Sequence, residues 1–117
     1  MKYRKYIFIF LVAIVSFFLT SCGESDPAVK FSLRAAHVAY NVKRYALAIE
    51  KYDRAINEGW TDGIDLYQYA YSLEQVGRVE ESRIYYQKAY VELQKFHPNH
   101  AFIQLLEAKG YAEGTTN

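Results

Sequence analysis

Ala48-Ile49-Glu50-Lys51-Tyr52-Asp53-Arg54-Ala55-Ile56 is echoed by Ser82-Arg83-Ile84-Tyr85-Tyr86-Gln87-Lys88-Ala89-Tyr90, with Tyr52 over Tyr86 and Ala55 over Ala89 at a constant offset of 34 residues. In the first copy Tyr45, Ala48, Ile49, Tyr52, Ala55 and Ile56 recur at i, i+3, i+4, i+7, i+10 and i+11. That is the stripe of a helix with one buried face. Glu50, Lys51, Asp53 and Arg54 fill the opposite side. Glu50 and Arg54 form a favourable i,i+4 pair. A helical stripe that returns after a fixed interval of this size points to packed helical repeats rather than to a singly wound globule.

Working outward, Leu33, Ala35, Ala36, Val38, Ala39, Tyr40 and Val42 predict a first helix rich in small residues, with Ser32 as its N-cap and Asn41 to Tyr45 as the turn that follows. The second helix runs from about Tyr45 to Asn57 and stops at Gly59. Trp60-Thr61-Asp62-Gly63 is a loop whose Asp62 or Thr61 caps a third helix, Ile64 to Gln75, ended by Gly77. A fourth helix covers Val79 to Phe96, with Val79, Ser82, Tyr86, Ala89, Tyr90 and Leu93 as its core stripe. A fifth runs from Ala101 to Lys109, and 112–117 is a tail.

These residues resemble the tetratricopeptide repeat family, in which each 34-residue unit is a helical hairpin. The aligned units are 29–62 and 63–96. Small residues where the two helices cross are Ala36, Ala48 and Ala55 in the first, and Ala70, Ser82 and Ala89 in the second, with Tyr52 and Tyr86 as the aromatics between them. The family's turn glycine is matched by Gly77 and replaced by Lys43, and the large residue matched by Tyr69 is replaced by Ala35. The resemblance implies an all-α fold of right-handed hairpin repeats, an alpha-alpha superhelix of about two units within 31–111. Helix 101–109 would be the cap on the last apolar face. It also implies a concave surface that binds peptides or proteins. On that surface Asn41, Tyr67, Tyr71 and Glu74 are the expected partner-facing residues.

The N-terminus reads as a separate unit. Lys2, Arg4 and Lys5 precede an apolar run from Ile7 to Leu19 that is short for a spanning helix. Leu19-Thr20-Ser21-Cys22 then resembles the cleavage site of bacterial lipoproteins. The resemblance implies removal of 1–21, a diacylglycerol thioether and an N-acyl chain on Cys22, and a short tether over 22–30. Gly23, in place of an aspartate, implies the outer membrane, with the domain facing the periplasm or the cell surface. Glu24 and Asp26 weakly resemble surface-export tags. Cys22 is the single cysteine, so an exported chain has no internal disulfide to form.

The leader holds three of the 14 basic residues and none of the 13 acidic ones, so residues 22–117 carry a net charge of −2. No concentrated basic face suggests nucleic acid as a partner. His97 and His100 flank a loop without cysteine or a clear carboxylate ligand, and His37 sits in an apolar helix, so neither a metal site nor a cofactor is expected. The acids Asp62, Asp65, Glu80 and Glu81 show no acid/base arrangement. There is also no phosphate-binding glycine loop or nucleophile elbow, and the chain is not expected to be an enzyme. Ten tyrosines remain after the leader, more than the repeat core requires, and tyrosine is enriched where proteins meet proteins. The sequence therefore predicts a lipid-anchored protein-interaction module of the cell envelope. The alternatives are a structural subunit of an outer-membrane complex and a binder of glycan or peptidoglycan fragments.

Overall fold

The computed structural model describes residues 27–111, which form five α-helices: α1 (Pro27–Asn41), α2 (Tyr45–Asn57), α3 (Gly63–Gln75), α4 (Val79–Phe96) and α5 (Ala101–Ala108). The substantial contacts join neighbours in chain order: α1 with α2, α2 with α3, α3 with α4, and α4 with α5. The leader, Cys22 and the tail 112–117 lie outside the described residues. No described helix is long and apolar enough to cross a membrane.

The first helix starts earlier than the expected Ser32 cap. Pro27 opens α1, where its fixed φ suits the first turn and its missing N–H costs no hydrogen bond. Residues 27–30 of the expected tether are thus helical, and Ser32 is buried inside the helix. Asp62 is the cap of α3: its side chain accepts from the backbone N–H of Ile64 at 2.9 Å and of Asp65 at 3.2 Å. His100 caps α5 through Nδ1, which accepts from the Phe102 N–H at 3.0 Å. Val79 does not join the core stripe of α4; it opens the helix and is exposed.

Four helices end in the same way. The second residue past α1, α2, α3 and α5 has positive φ: Lys43 at 63°, Gly59 at 96°, Gly77 at 87° and Gly110 at 98°. In each case the next N–H reaches back to close the last turn: Arg44 to the carbonyl of Ala39 (2.8 Å), Trp60 to Ala55 (3.1 Å), Arg78 to Leu73 (2.9 Å) and Tyr111 to Leu106 (2.9 Å). This is the Schellman arrangement, and it satisfies carbonyls that a helix end otherwise leaves unpaired. Lys43 is the one non-glycine residue with positive φ among the described residues.

The core has two halves joined by α3. Tyr69 and Leu73 pack with Val29, Leu33, Ala36 and Ala39 of α1 and Ala48, Ile49, Tyr52 and Ala55 of α2. Leu66, Tyr67 and Ala70 pack with Tyr86, Ala89, Tyr90 and Leu93 of α4 and Ile103 and Leu106 of α5. All eight repeat positions (Ala36, Ala48, Tyr52, Ala55, Ala70, Ser82, Tyr86 and Ala89) are buried to 1% exposure or less. Ser82 substitutes for an alanine because its hydroxyl donates to the Val79 carbonyl of its own helix at 2.6 Å. At the start of α3 the absence of a side chain is required. A Cβ on Gly63 would lie 2.8 Å from Leu93 Cγ and 2.9 Å from the Leu93 backbone nitrogen.

Candidate functional site

Between α1 and α3 lies an open polar cleft of about 410 Å³ lined by His37, Asn41, Asp62, Ile64, Asp65 and Gln68. Asp65 organises it. It lies in the first turn of α3 and is 6% exposed. One carboxylate oxygen accepts from His37 Nε2 at 2.5 Å, and the other accepts from the indole N–H of Trp60 at 2.6 Å. A buried carboxylate is costly unless each oxygen finds a donor, and here both do. His37, with 46% of its side chain exposed, keeps the rest of the ring toward solvent. The dyad therefore ties α1 to α3 and fixes the loop before α3 in a single stroke.

Gln68 is held from behind. The buried Tyr52 hydroxyl donates to its Oε1 at 2.6 Å, which leaves the amide N–H groups to be offered elsewhere. Asn41, exposed at the end of α1, adds a second carboxamide to the rim. The cleft thus presents amide donors and an amide acceptor beside an imidazole. Its lining has no serine, threonine or cysteine to serve as a nucleophile. Among the described residues no group of three histidine, cysteine or acidic side chains is placed to hold a metal ion.

The four residues expected to face a partner do not form one surface. Asn41 lines the cleft. Tyr67 does not: it is 5% exposed, its ring stacked on Phe102 of α5 at 4.0 Å between centroids and set edge-on against Tyr86 at 5.4 Å. The physical reason is α5, which packs over this part of α3 and takes Tyr67 into the core. Tyr71 is half-buried in a triangle with Tyr40 (5.9 Å) and Tyr45 (5.7 Å). Burial, followed by the neighbouring Tyr67, Tyr71 and Tyr45, pushes the Tyr40 hydroxyl up to about 12. Glu74 is half-buried and engaged, accepting from Lys109 Nζ at 3.3 Å and from the Tyr86 hydroxyl at 3.4 Å. It braces α3 to α4 and α5 rather than facing outward.

The dyad and Gln68 were not anticipated. An acid inside the apolar run Ile64-Asp65-Leu66-Tyr67 was the available signal, since a carboxylate on a buried helix face requires partners. Its partners come from 28 residues upstream and five residues upstream, which no local pattern relates.

A second hollow of about 350 Å³ opens beside it, lined by Ile56, Trp60, Leu66, Tyr85, Lys88 and Val91 among others. Trp60 links the two: it lines this more apolar hollow, and its N–H binds Asp65 of the cleft. No protein-family model, curated protein or solved structure matches the chain.

Proposed function

We propose that the domain is a tetratricopeptide-like interaction module, tethered to the bacterial outer membrane through lipid on Cys22, and that the α1–α3 cleft binds an extended polypeptide segment of an envelope protein. The repeat reading is supported by the burial of all eight repeat positions and by the matching turns at Lys43 and Gly77, 34 residues apart. The function rests on the cleft itself. Its polar groups include two carboxamides, of Asn41 and Gln68, and the His37 imidazole; buried Asp65 holds His37 and buried Tyr52 holds Gln68. Carboxamides offer a donor and an acceptor together, which suits the alternating N–H and C=O groups of a peptide backbone. With Asp65 paired, Asp62 engaged as a helix cap and no serine, threonine or cysteine in the lining, the cleft is suited to recognition.

The test is site-specific photo-crosslinking in cells. A photoreactive residue at Asn41 is expected to capture a discrete envelope protein, and the same residue at Arg83, exposed on α4, is not. Absence of a protein adduct at Asn41, together with retention of the purified chain on cell-wall fragments, would replace this reading with glycan binding. Mass spectrometry of the mature N-terminus tests the anchor separately: a free Cys22 thiol or an intact Met1 would refute it.

A further inference from the structure

The first helix leaves one face uncovered. Phe31, Val38 and Val42 of α1 and its following turn are 73%, 59% and 60% exposed, and Leu47 of α2 is 38% exposed. Together with Ala35 they border an apolar groove of about 360 Å³ whose rim carries Arg34 and Arg44. The repeat pattern shows why this face is open. Tyr69 fills its position in α3 by packing toward α1 and α2, whereas the equivalent Ala35 has no preceding helix among the described residues to meet. The charge around the groove has one sign. Residues 27–49 contain Lys30, Arg34, Lys43 and Arg44 and no aspartate or glutamate; the acids on either side of this stretch are Asp26 and Glu50. None of the four basic side chains takes part in an ion pair among the described residues.

We infer that this face lies flat on an anionic lipid surface, with Phe31, Val38 and Val42 in the headgroup boundary and the four basic residues against lipid phosphates. Apolar side chains beside unpaired cations are what an interfacial helix requires, because burial and charge attraction then act together. A second copy is a poorer occupant, since a two-fold contact would bring Arg34 and Arg44 against their own images. The proposal rests on the membrane tether above only for proximity. Cys22 precedes Pro27 by five residues, a span of at most about 18 Å, so an anchored chain would hold α1 beside the headgroups. The α1–α3 cleft would then stand at a fixed height and orientation over the bilayer.

The full chain, reconstituted through its own N-terminus, tests this. Val38→Cys or Ile84→Cys, both at exposed sites, carries a bimane fluorophore, and quenching by nitroxide-labelled lipid is read in two kinds of vesicle: phosphatidylcholine alone, or phosphatidylcholine with phosphatidylglycerol. In the anionic vesicles the label at Val38 is expected to be quenched about threefold more than that at Ile84, and the difference is expected to vanish in neutral vesicles and in the Arg34→Glu/Arg44→Glu variant. Equal quenching at both positions in anionic vesicles would overturn the proposal. So would a difference that persists in neutral vesicles, which would show lipid contact that owes nothing to anionic headgroups. The number of bimanes per chain reports on the tether independently. A thioether at Cys22 takes none, so two labels per chain would refute the lipid anchor without altering the comparison between Val38 and Ile84.

Discussion

Replacing Lys43 with glycine is expected to stabilise the protein. Lys43 holds φ at 63°, in the left-handed region, while the equivalent Gly77 holds 87°. For a residue with a Cβ this conformation costs about 1–2 kcal/mol. Glycine avoids that cost but gives the unfolded chain more freedom, which offsets about 0.4–1 kcal/mol. The difference leaves a gain of about 0.5–1 kcal/mol, or a rise in Tm of about 3–6 °C for a domain of this size. Lys43 is exposed, so little packing is lost with its side chain. The mirror change, Gly77→Lys, isolates the same quantity with the opposite sign. A Cβ at Gly77 would meet nothing within 4 Å, so its cost is conformational and not steric. Thermal and urea denaturation followed by far-ultraviolet circular dichroism measure both, and an unchanged urea slope keeps the comparison to stability alone. A Lys43→Gly variant that is less stable than the parent, beside a Gly77→Lys variant that is unaffected, would show that these turns do not close by the left-handed residue and would refute the reasoning.

Gly63→Ala is expected to destabilise by about 1–3 kcal/mol, because its Cβ would press on the Leu93 backbone nitrogen at 2.9 Å; a melt identical to the parent would contradict that close approach. Asp65→Ala, which strips the acceptor from half-buried Trp60 and from His37, is expected to lose about 1–3 kcal/mol and to shift the Trp60 fluorescence; an unaltered spectrum would place the indole elsewhere. Alkali should unfold the domain. Burial, aided by Asp65 at Tyr52, by the bond to Asp53 at Tyr69 and by Glu74 at Tyr86, raises these three hydroxyls above the usual value of 10.0. A raised native pKa means that the unfolded chain releases its protons first. Stability is therefore complete below pH 10 and falls as pH rises toward the native values. The three act in the same direction, so tyrosinate absorbance and loss of helix should appear together above pH 10; tyrosinate absorbance rising in full while the helix signal is unchanged would contradict their burial. Truncation after His97 removes Ile103 and Leu106 from the core and the ring stacked on Tyr67, and partial unfolding of α3 and α4 is expected; an unchanged melt would deny α5 its covering role.

The helices and their buried stripes were legible because they follow from local periodicity. Tyr45 to Asn57 agrees to the residue with α2, and the glycines at 59, 77 and 110 mark three of the four Schellman ends. The start of α1 was misplaced by nearly two turns because Ser32 is a good capping residue by type, while Pro27 suits the first helical position by geometry; nothing local ranks the two. The burial of Tyr67 was not legible for a different reason. Its helix has apolar residues on nearly every side, Leu66, Tyr67, Tyr69, Ala70 and Leu73 all being buried, so the solvent-facing side of α3 depends on where α5 lands. That placement is a tertiary outcome, fixed by the stack of Phe102 on Tyr67 and the contact of Lys109 with Glu74.

The same distinction locates the cleft. The residues that repeat at 34 are the small and aromatic ones inside the core, and they specify how neighbouring helices meet. The residues that build the cleft do not repeat. At the same offset His37 corresponds to Tyr71, Trp60 to Gln94, Asp65 to Phe31 and Gln68 to Arg34. The carboxylate, its two donors and the oriented carboxamide therefore come together only where α1 meets α3 among the described residues. The two positions that answer to Asp65 and Gln68 in the first helix, Phe31 and Arg34, belong to the open basic and apolar face. One register of the helix thus carries two different surfaces: in α3 it contributes polar groups to a cleft, and in α1 it contributes an apolar ring and a cation to an edge with no helix before it. The proposed grip on a partner and the proposed rest against a charged surface would both draw on that divergence, while the stacking of the helices draws on the core positions staying alike.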